Sequence, residues 1–122
     1  MKSTTEKGRE AEDLALEWLE RRGYVLLERN YRVGHKEIDI IMESPQAIHI
    51  VEVKALSAPV AVDPAEKVDA RKRQLLASAA NYYLRSRRVA KEAQFDIVTV
   101  VFNGADSTVE YIPNAFYPIY YK

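Results

Sequence analysis

The chain has 122 residues, 18 basic and 18 acidic, with no formal net charge and no cysteine. That length suits one domain over residues 1–122 with a core of its own. Missing cysteine excludes disulfides, thiolate catalysis and sulfur-ligated zinc or iron, and the charge balance argues against coating nucleic acid by bulk electrostatics.

No apolar run reaches the length of a membrane span, and Met1 to Lys7 lacks a signal-peptide core, so the expectation is a soluble cytoplasmic protein with no membrane contact. Residues 4–22 read as a helix, with Ala11, Leu14, Ala15, Trp18 and Leu19 at helical spacing and Gly23 as the stop. Tyr24 to Tyr31 reads as a strand, followed by a turn at Gly34. Two short apolar runs come next, residues 37–42 and 48–54, joined through Ser44-Pro45-Gln46 as a hairpin. Ala55 to Asp63 carries Pro59 and no period, and reads as a loop. Pro64, capped by Asp63, opens a long amphipathic helix to Ser86 marked by Val68, Leu75, Leu76, Ala79, Ala80, Tyr83 and Leu84. Phe95 to Phe102 is a strand, Asn103-Gly104 a turn and Thr108 to Ile112 a last strand. The aromatic tail, Asn114 to Tyr121, packs on the body or forms a homodimer interface. Helix, strands, helix, strands is an α/β sandwich with a mixed sheet.

Charge is unevenly spread. Between Pro64 and Lys91 there are eight basic residues (Lys67, Arg71, Lys72, Arg73, Arg85, Arg87, Arg88 and Lys91) against two acidic ones. Such an excess suits a phosphate backbone or, equally, a solvated helix face.

The two apolar runs carry acids where a buried strand should have none. In Glu37-Ile38-Asp39-Ile40-Ile41-Met42, alternation puts Glu37, Asp39 and Ile41 on one face and Ile38, Ile40 and Met42 on the other. In the second run Ile48, Ile50, Glu52 and Lys54 share a face opposite His49, Val51 and Val53. A turn centred between Pro45 and Gln46 sets Asp39 across from Glu52 and Glu37 across from Lys54, with Cβ atoms ~5 Å apart. A slip by one residue would separate the two acids. Paired, they suit one hard cation, Mg2+ or Mn2+, with the Val53 carbonyl as a third oxygen. Lys54, about 7 Å along the face from Glu52, is placed to orient water or stabilise charge on a phosphate. Glu12, bordering the apolar stripe of the first helix with Gly8 leaving room beside it, is a fourth candidate. Taken singly, each has an ordinary reading: Glu12 as a half-exposed border residue, Asp39 as a hydrogen-bonded acid, Glu52 and Lys54 as a surface ion pair. His35 and His49 lack metal-ligand spacing and read as surface or structural residues.

This ordered set resembles the PD-(D/E)XK, restriction-endonuclease-like nuclease superfamily. Residues 8–15 (Gly-Arg-Glu-Ala-Glu-Asp-Leu-Ala), Glu37-Ile38-Asp39-Ile40-Ile41, Val51-Glu52-Val53-Lys54 and Phe95-Asp96-Ile97-Val98 are similar to the small bacterial YraN-type endonuclease-like family, related to archaeal Holliday-junction resolvases. The resemblance implies a three-layer α/β sandwich forming a single endonuclease-like domain, and Mg2+- or Mn2+-dependent hydrolysis of phosphodiester bonds in DNA, branched or damaged DNA included. It implies Asp39 and Glu52 as metal ligands, Lys54 as the catalytic lysine and Glu12 as the first-helix acid. Lys67, Arg71, Lys72 and Gln74 are the expected DNA contacts. The chain has Lys36 where relatives often carry glycine and Leu56 where many carry a basic residue. The alternative function is a non-catalytic nucleic-acid-binding module that keeps the nuclease fold.

Overall fold

Five strands and two helices form the secondary structure of residues 4–59 and 70–116, the part of the chain that the computed structural model describes. In chain order these are α1 (Thr4–Arg21), β1 (Val25–Val33), β2 (Lys36–Glu43), β3 (Ile48–Ser57), α2 (Ala70–Ser86), β4 (Ala93–Asn103) and β5 (Asp106–Ile112). The expected start of the second helix, Pro64 with its Asp63 cap, lies outside the described residues, as do Lys67, Val68 and the tail from Tyr117.

The strands lie side by side in the order β1-β2-β3-β4-β5. β3 and β4 are parallel and every other neighbouring pair is antiparallel. A parallel pair needs a long crossover, and α2 lies within it. The sheet is mixed and covered on both faces. Ala11, Ala15 and Leu19 of α1 pack on Ile40, Met42, Val51, Val98 and Val100. Leu76, Ala79, Ala80 and Tyr83 of α2 pack on Ile41, Ile48, Ile50, Phe95 and Ile97. The architecture is the three-layer α/β sandwich expected from sequence.

Local chemistry sets the boundaries. Gly23 adopts φ 91° and lets the Tyr24 N–H close on the Leu19 carbonyl at 3.2 Å, ending α1. The β2–β3 hairpin closes with the Ser44 N–H on the Ala47 carbonyl at 3.0 Å, leaving Pro45 and Gln46 as the loop. Ile40 therefore faces Val51 and Glu43 faces Ile48, the register expected from a turn centred on that pair.

Three expectations are corrected. Ala55 to Ser57 are strand, because β4 offers Val100, Val101 and Phe102 as parallel partners and holds the backbone extended. Leu75 is 39% exposed and lies outside the buried stripe of α2. Strict alternation also fails within β2, where Ile38 joins the α2-side core while Ile40 joins the α1-side core. On β1 the same reversal occurs: Arg29 reaches Asp13 of α1, whereas the Tyr31 ring packs on Tyr83 of α2. Between them Asn30 takes φ 51°, which rolls the strand over.

Asp96, fully buried on β4 and the register partner of Val51, ties β3, β4 and β5 together. It accepts hydrogen bonds from the Tyr111 hydroxyl (2.6 Å), the Gln94 amide (2.9 Å) and the Asn114 N–H (3.0 Å), and its Oδ2 lies 2.7 Å from His49 Nδ1. His49 Nε2 lies 2.8 Å from Ser44 Oγ, so His49 is structural, as expected. Burial and the bond to Asp96 push the Tyr111 phenol well above its ordinary range. Asp96→Ala orphans these donors and is expected to cost about 3 kcal/mol in urea denaturation. A loss under about 1 kcal/mol would mean that water replaces the carboxylate. The tail packs on the body as far as it is described: the Ala115 N–H bonds the Phe95 carbonyl at 2.8 Å and Phe116 is buried against Phe95.

Candidate active site

The acids gather where the sheet rolls over. β2 and β3 run as paired strands from Glu43↔Ile48 to Ile40↔Val51. At the next position Asp39 turns its side chain onto β3, and Oδ2 accepts the Val53 N–H at 2.9 Å. A side chain takes over a hydrogen bond of the ladder, which pins the Asp39 carboxylate at the edge of β3. The N–H and C=O of one strand residue point the same way, so the Val53 carbonyl lies on that edge too.

Glu52 is the register partner of Ile97 on β4 and shares a face with Ile48 and Ile50, as alternation requires. It is 7% exposed. Two ammonium groups meet its Oε1: Lys54 Nζ from two residues along the strand, at 3.4 Å, and Lys72 Nζ from the first turns of α2. Glu37 does not face Lys54 as expected; β2 and β3 have parted by then, and Glu37 pairs with Arg32 of β1.

Glu12 of α1 leans over the sheet as expected, yet its nearest partners come from β1. Asn30 Nδ2 donates to Glu12 Oε1 at 2.9 Å and reaches Glu37 Oε1 at 3.2 Å, while Arg29 Nε lies 3.8 Å from Glu12. A Cβ on Gly8 would meet nothing within 4 Å, so glycine is not what makes room beside Glu12.

The electrostatics follow from these neighbours. Burial, then the charges of Glu52 and Glu12, raise the Asp39 carboxyl to about 7, against the pull of the Val53 N–H and Lys72. Burial lowers the Lys54 ammonium despite the opposing charge of Glu52. Burial also works against the charge on Lys72, but its bond to Glu52 wins and holds it above the ordinary lysine value. Two acids and two lysines thus form one interacting set.

Among the described residues, no three acidic or histidine side chains converge closely enough to hold a metal ion. Asp39 and Glu52 are close enough for the Glu52 charge to raise the Asp39 carboxyl, and the Val53 N–H next to Glu52 in the chain is the group that holds Asp39. Among the described residues, buried Thr99, the register partner of Lys54, finds no hydrogen-bond partner for its hydroxyl. An unmet buried hydroxyl beside Lys54 suits a site that takes up water or a substrate oxygen.

Of the expected DNA contacts, Arg71 and Lys72 line a cleft beside these acids, Gln74 is exposed outside it and Lys67 is not described. The basic excess is not one continuous stripe. Arg87 pairs with Glu28 at 3.1 Å and Lys91 with Glu43 at 2.9 Å, so two cations that follow α2 are spent internally. Sequence reasoning missed Asn30 and Arg29, and gave Lys72 to DNA without its tie to Glu52. One signal was available for Asn30: asparagine is disfavoured within a strand and favoured at positive φ.

Residues 11–100 match the model of the uncharacterised protein family UPF0102. A UPF0102 protein of Bacteroides thetaiotaomicron is 35% identical over 97% of this chain and 98% of its own length. One from Porphyromonas gingivalis is 33% identical, covering 95% of this chain and 87% of its own length. A third, from Persephonella marina, is 40% identical over 90% of this chain and 92% of its own length. The chain belongs to family UPF0102, the YraN-like, nuclease-like family.

Proposed function

We propose that this protein is a Mg2+- or Mn2+-dependent DNA endonuclease. One observation carries the reading: Asp39 and Glu52 sit together at the parting of β2 and β3, with Lys54 against Glu52 and the Val53 carbonyl on the same strand edge. Asp39, whose proton is held first by burial and then by Glu52 and Glu12, gains most from a nearby cation. Two carboxylates and a carbonyl suit magnesium, which keeps several waters and completes its shell with substrate phosphate oxygens. The donor set therefore fits a hard cation held by Asp39, Glu52 and the Val53 carbonyl, with Glu12 outside the shell.

Such an ion supplies an acidified water and neutralises charge on the scissile phosphate. The chain's own groups do the rest. The Val53 N–H fixes the Asp39 carboxylate. Lys54, whose charge burial disfavours, is placed to hold the attacking water or the phosphate oxygen that gains charge. Asn30 and Arg29 hold Glu12 over the sheet, where it can orient a water.

Linear, flapped and four-way-junction DNAs incubated with and without manganese test the reaction. Cleavage that needs manganese and falls by about 10²–10³-fold in Lys54→Met is expected. Cleavage at the wild-type rate in both Asp39→Ala and Glu52→Ala would exclude the site.

A second reading, a nucleic-acid-binding module without catalysis, draws on the closed Glu52–Lys54–Lys72 cluster, in which Glu52 already has two cationic partners without a metal, and on Leu56. Titration calorimetry separates the two. Heat on adding manganese supports the nuclease; no heat, with salt-sensitive DNA binding, supports the module.

A further inference from the structure

A cleft of about 350 Å³ lies between the β1–β2 turn and the start of α2. The described residues that line it are His35, Lys36 and Glu37 from the turn side, and Arg71, Lys72, Leu75 and Leu76 from the helix. It touches the acidic site at two points: Lys72 bonds Glu52, and Glu37 accepts from the Asn30 amide that also holds Glu12. Leu75 is 39% exposed and Leu76 is 5% exposed, so the helix side presents an apolar floor. Lys36, Arg71 and Lys72 add cations around it, against the one carboxylate of Glu37.

We infer that this cleft takes one unpaired nucleotide of the DNA strand next to the scissile phosphate, and so favours single-stranded or flapped DNA over continuous duplex. This rests on the nuclease reading and names its substrate class. The occupant follows from the lining. A duplex backbone offers phosphates alone, which satisfy the cations but leave the leucine floor uncovered. An unstacked nucleotide offers both an apolar base face and a phosphate. The volume sits near the lower end of small-ligand pockets, enough for one nucleotide and too small for a base pair with both backbones. Unstacking costs least where the base is already unpaired, which turns the shape of the cleft into a structural preference.

Fluorescence anisotropy in EDTA tests this without any need for catalysis. A labelled single strand and the same sequence as a continuous duplex are titrated with the full chain. Wild type is expected to bind the single strand more tightly. Leu75→Ala removes floor area at an exposed helix position without adding charge; it is expected to weaken single-strand binding about tenfold and to change duplex affinity by less than about twofold. Leu75→Phe is expected to tighten the single strand by offering a stacking ring. Equal wild-type affinity for the two DNAs overturns the inference and leaves the nuclease reading standing. Indifference of single-strand binding to both variants, the result expected if a protein segment filled the cleft, overturns it too. Failure to bind either DNA overturns both readings.

Discussion

Asp39→Asn is expected to make the protein more stable above neutral pH and to reduce metal-dependent cleavage by about 10²–10³-fold. The sign of the stability change comes from what surrounds the carboxyl. Its folded pKa is raised from 3.8 to about 7, first by burial and then by Glu52 and Glu12. Folding therefore favours the protonated form. The stability this group contributes is complete below pH 3.8 and is lost as pH rises through about 7, because the unfolded chain gives up the proton earlier. A carboxyl raised this far stores up to ~4 kcal/mol of unfavourable ionisation. Water reaching a half-buried group and the nearby Lys72 reduce that, so ~1–2 kcal/mol is the expected gain at pH 8. Asparagine keeps an oxygen for the Val53 N–H and does not ionise. The measurement is thermal unfolding of both proteins at pH 5 and pH 8. The difference should widen with pH; a variant less stable than wild type at pH 8 would show that the ionised carboxylate is compensated in the folded chain.

That trade between stability and a site is what made the sequence informative. Isoleucine and valine runs specify interior strands, and acids inside them violate the rule that buried charge needs partners. Asp39 and Glu52 stood out for that reason, and they lie one position beyond Ile40↔Val51, where β2 and β3 stop pairing. The layers were equally legible, because α1 and α2 carry their apolar residues at helical spacing and the strands carry theirs in runs.

What escaped has a physical cause. Tyr31 crosses to the α2 face because Asn30 adopts a left-handed backbone, its register partner Ile38 on β2 lies on that face too, and period-two reasoning has no place for one such residue. The Glu37–Lys54 pairing failed because Asp39 spends its side chain on the Val53 N–H, and the strands part beyond it. Lys72 sits 20 residues from Glu52 in the chain, and only folding of α2 onto the sheet brings them together. Ala55 to Ser57 were hidden by the neighbouring Pro59, although β4 supplies the partners that make them strand.

Glu52→Gln is expected to reduce cleavage as strongly as Asp39→Asn, yet to move stability in the opposite direction. Where Asp39 faces other acids, Glu52 meets two ammonium groups on one oxygen. A neutral glutamine leaves Lys54 and Lys72 facing each other, and the Lys72 charge already lowers the Lys54 ammonium. Removing one partner from a largely buried cluster costs about 3–5 kcal/mol. Lys72 has a side chain 41% exposed and can swing into water, so ~2 kcal/mol is expected. Two controls separate charge from packing. High salt should restore part of the loss by screening the lysine pair. Adding Lys72→Met to Glu52→Gln should restore more, giving a coupling of about 1 kcal/mol in a double-mutant cycle. Purely additive single and double variants would mean that Lys72 is not a partner of Glu52 in solution. Taken with the Asp39 result, opposite stability effects with a shared loss of cleavage would assign the two carboxylates to one site built from unlike surroundings.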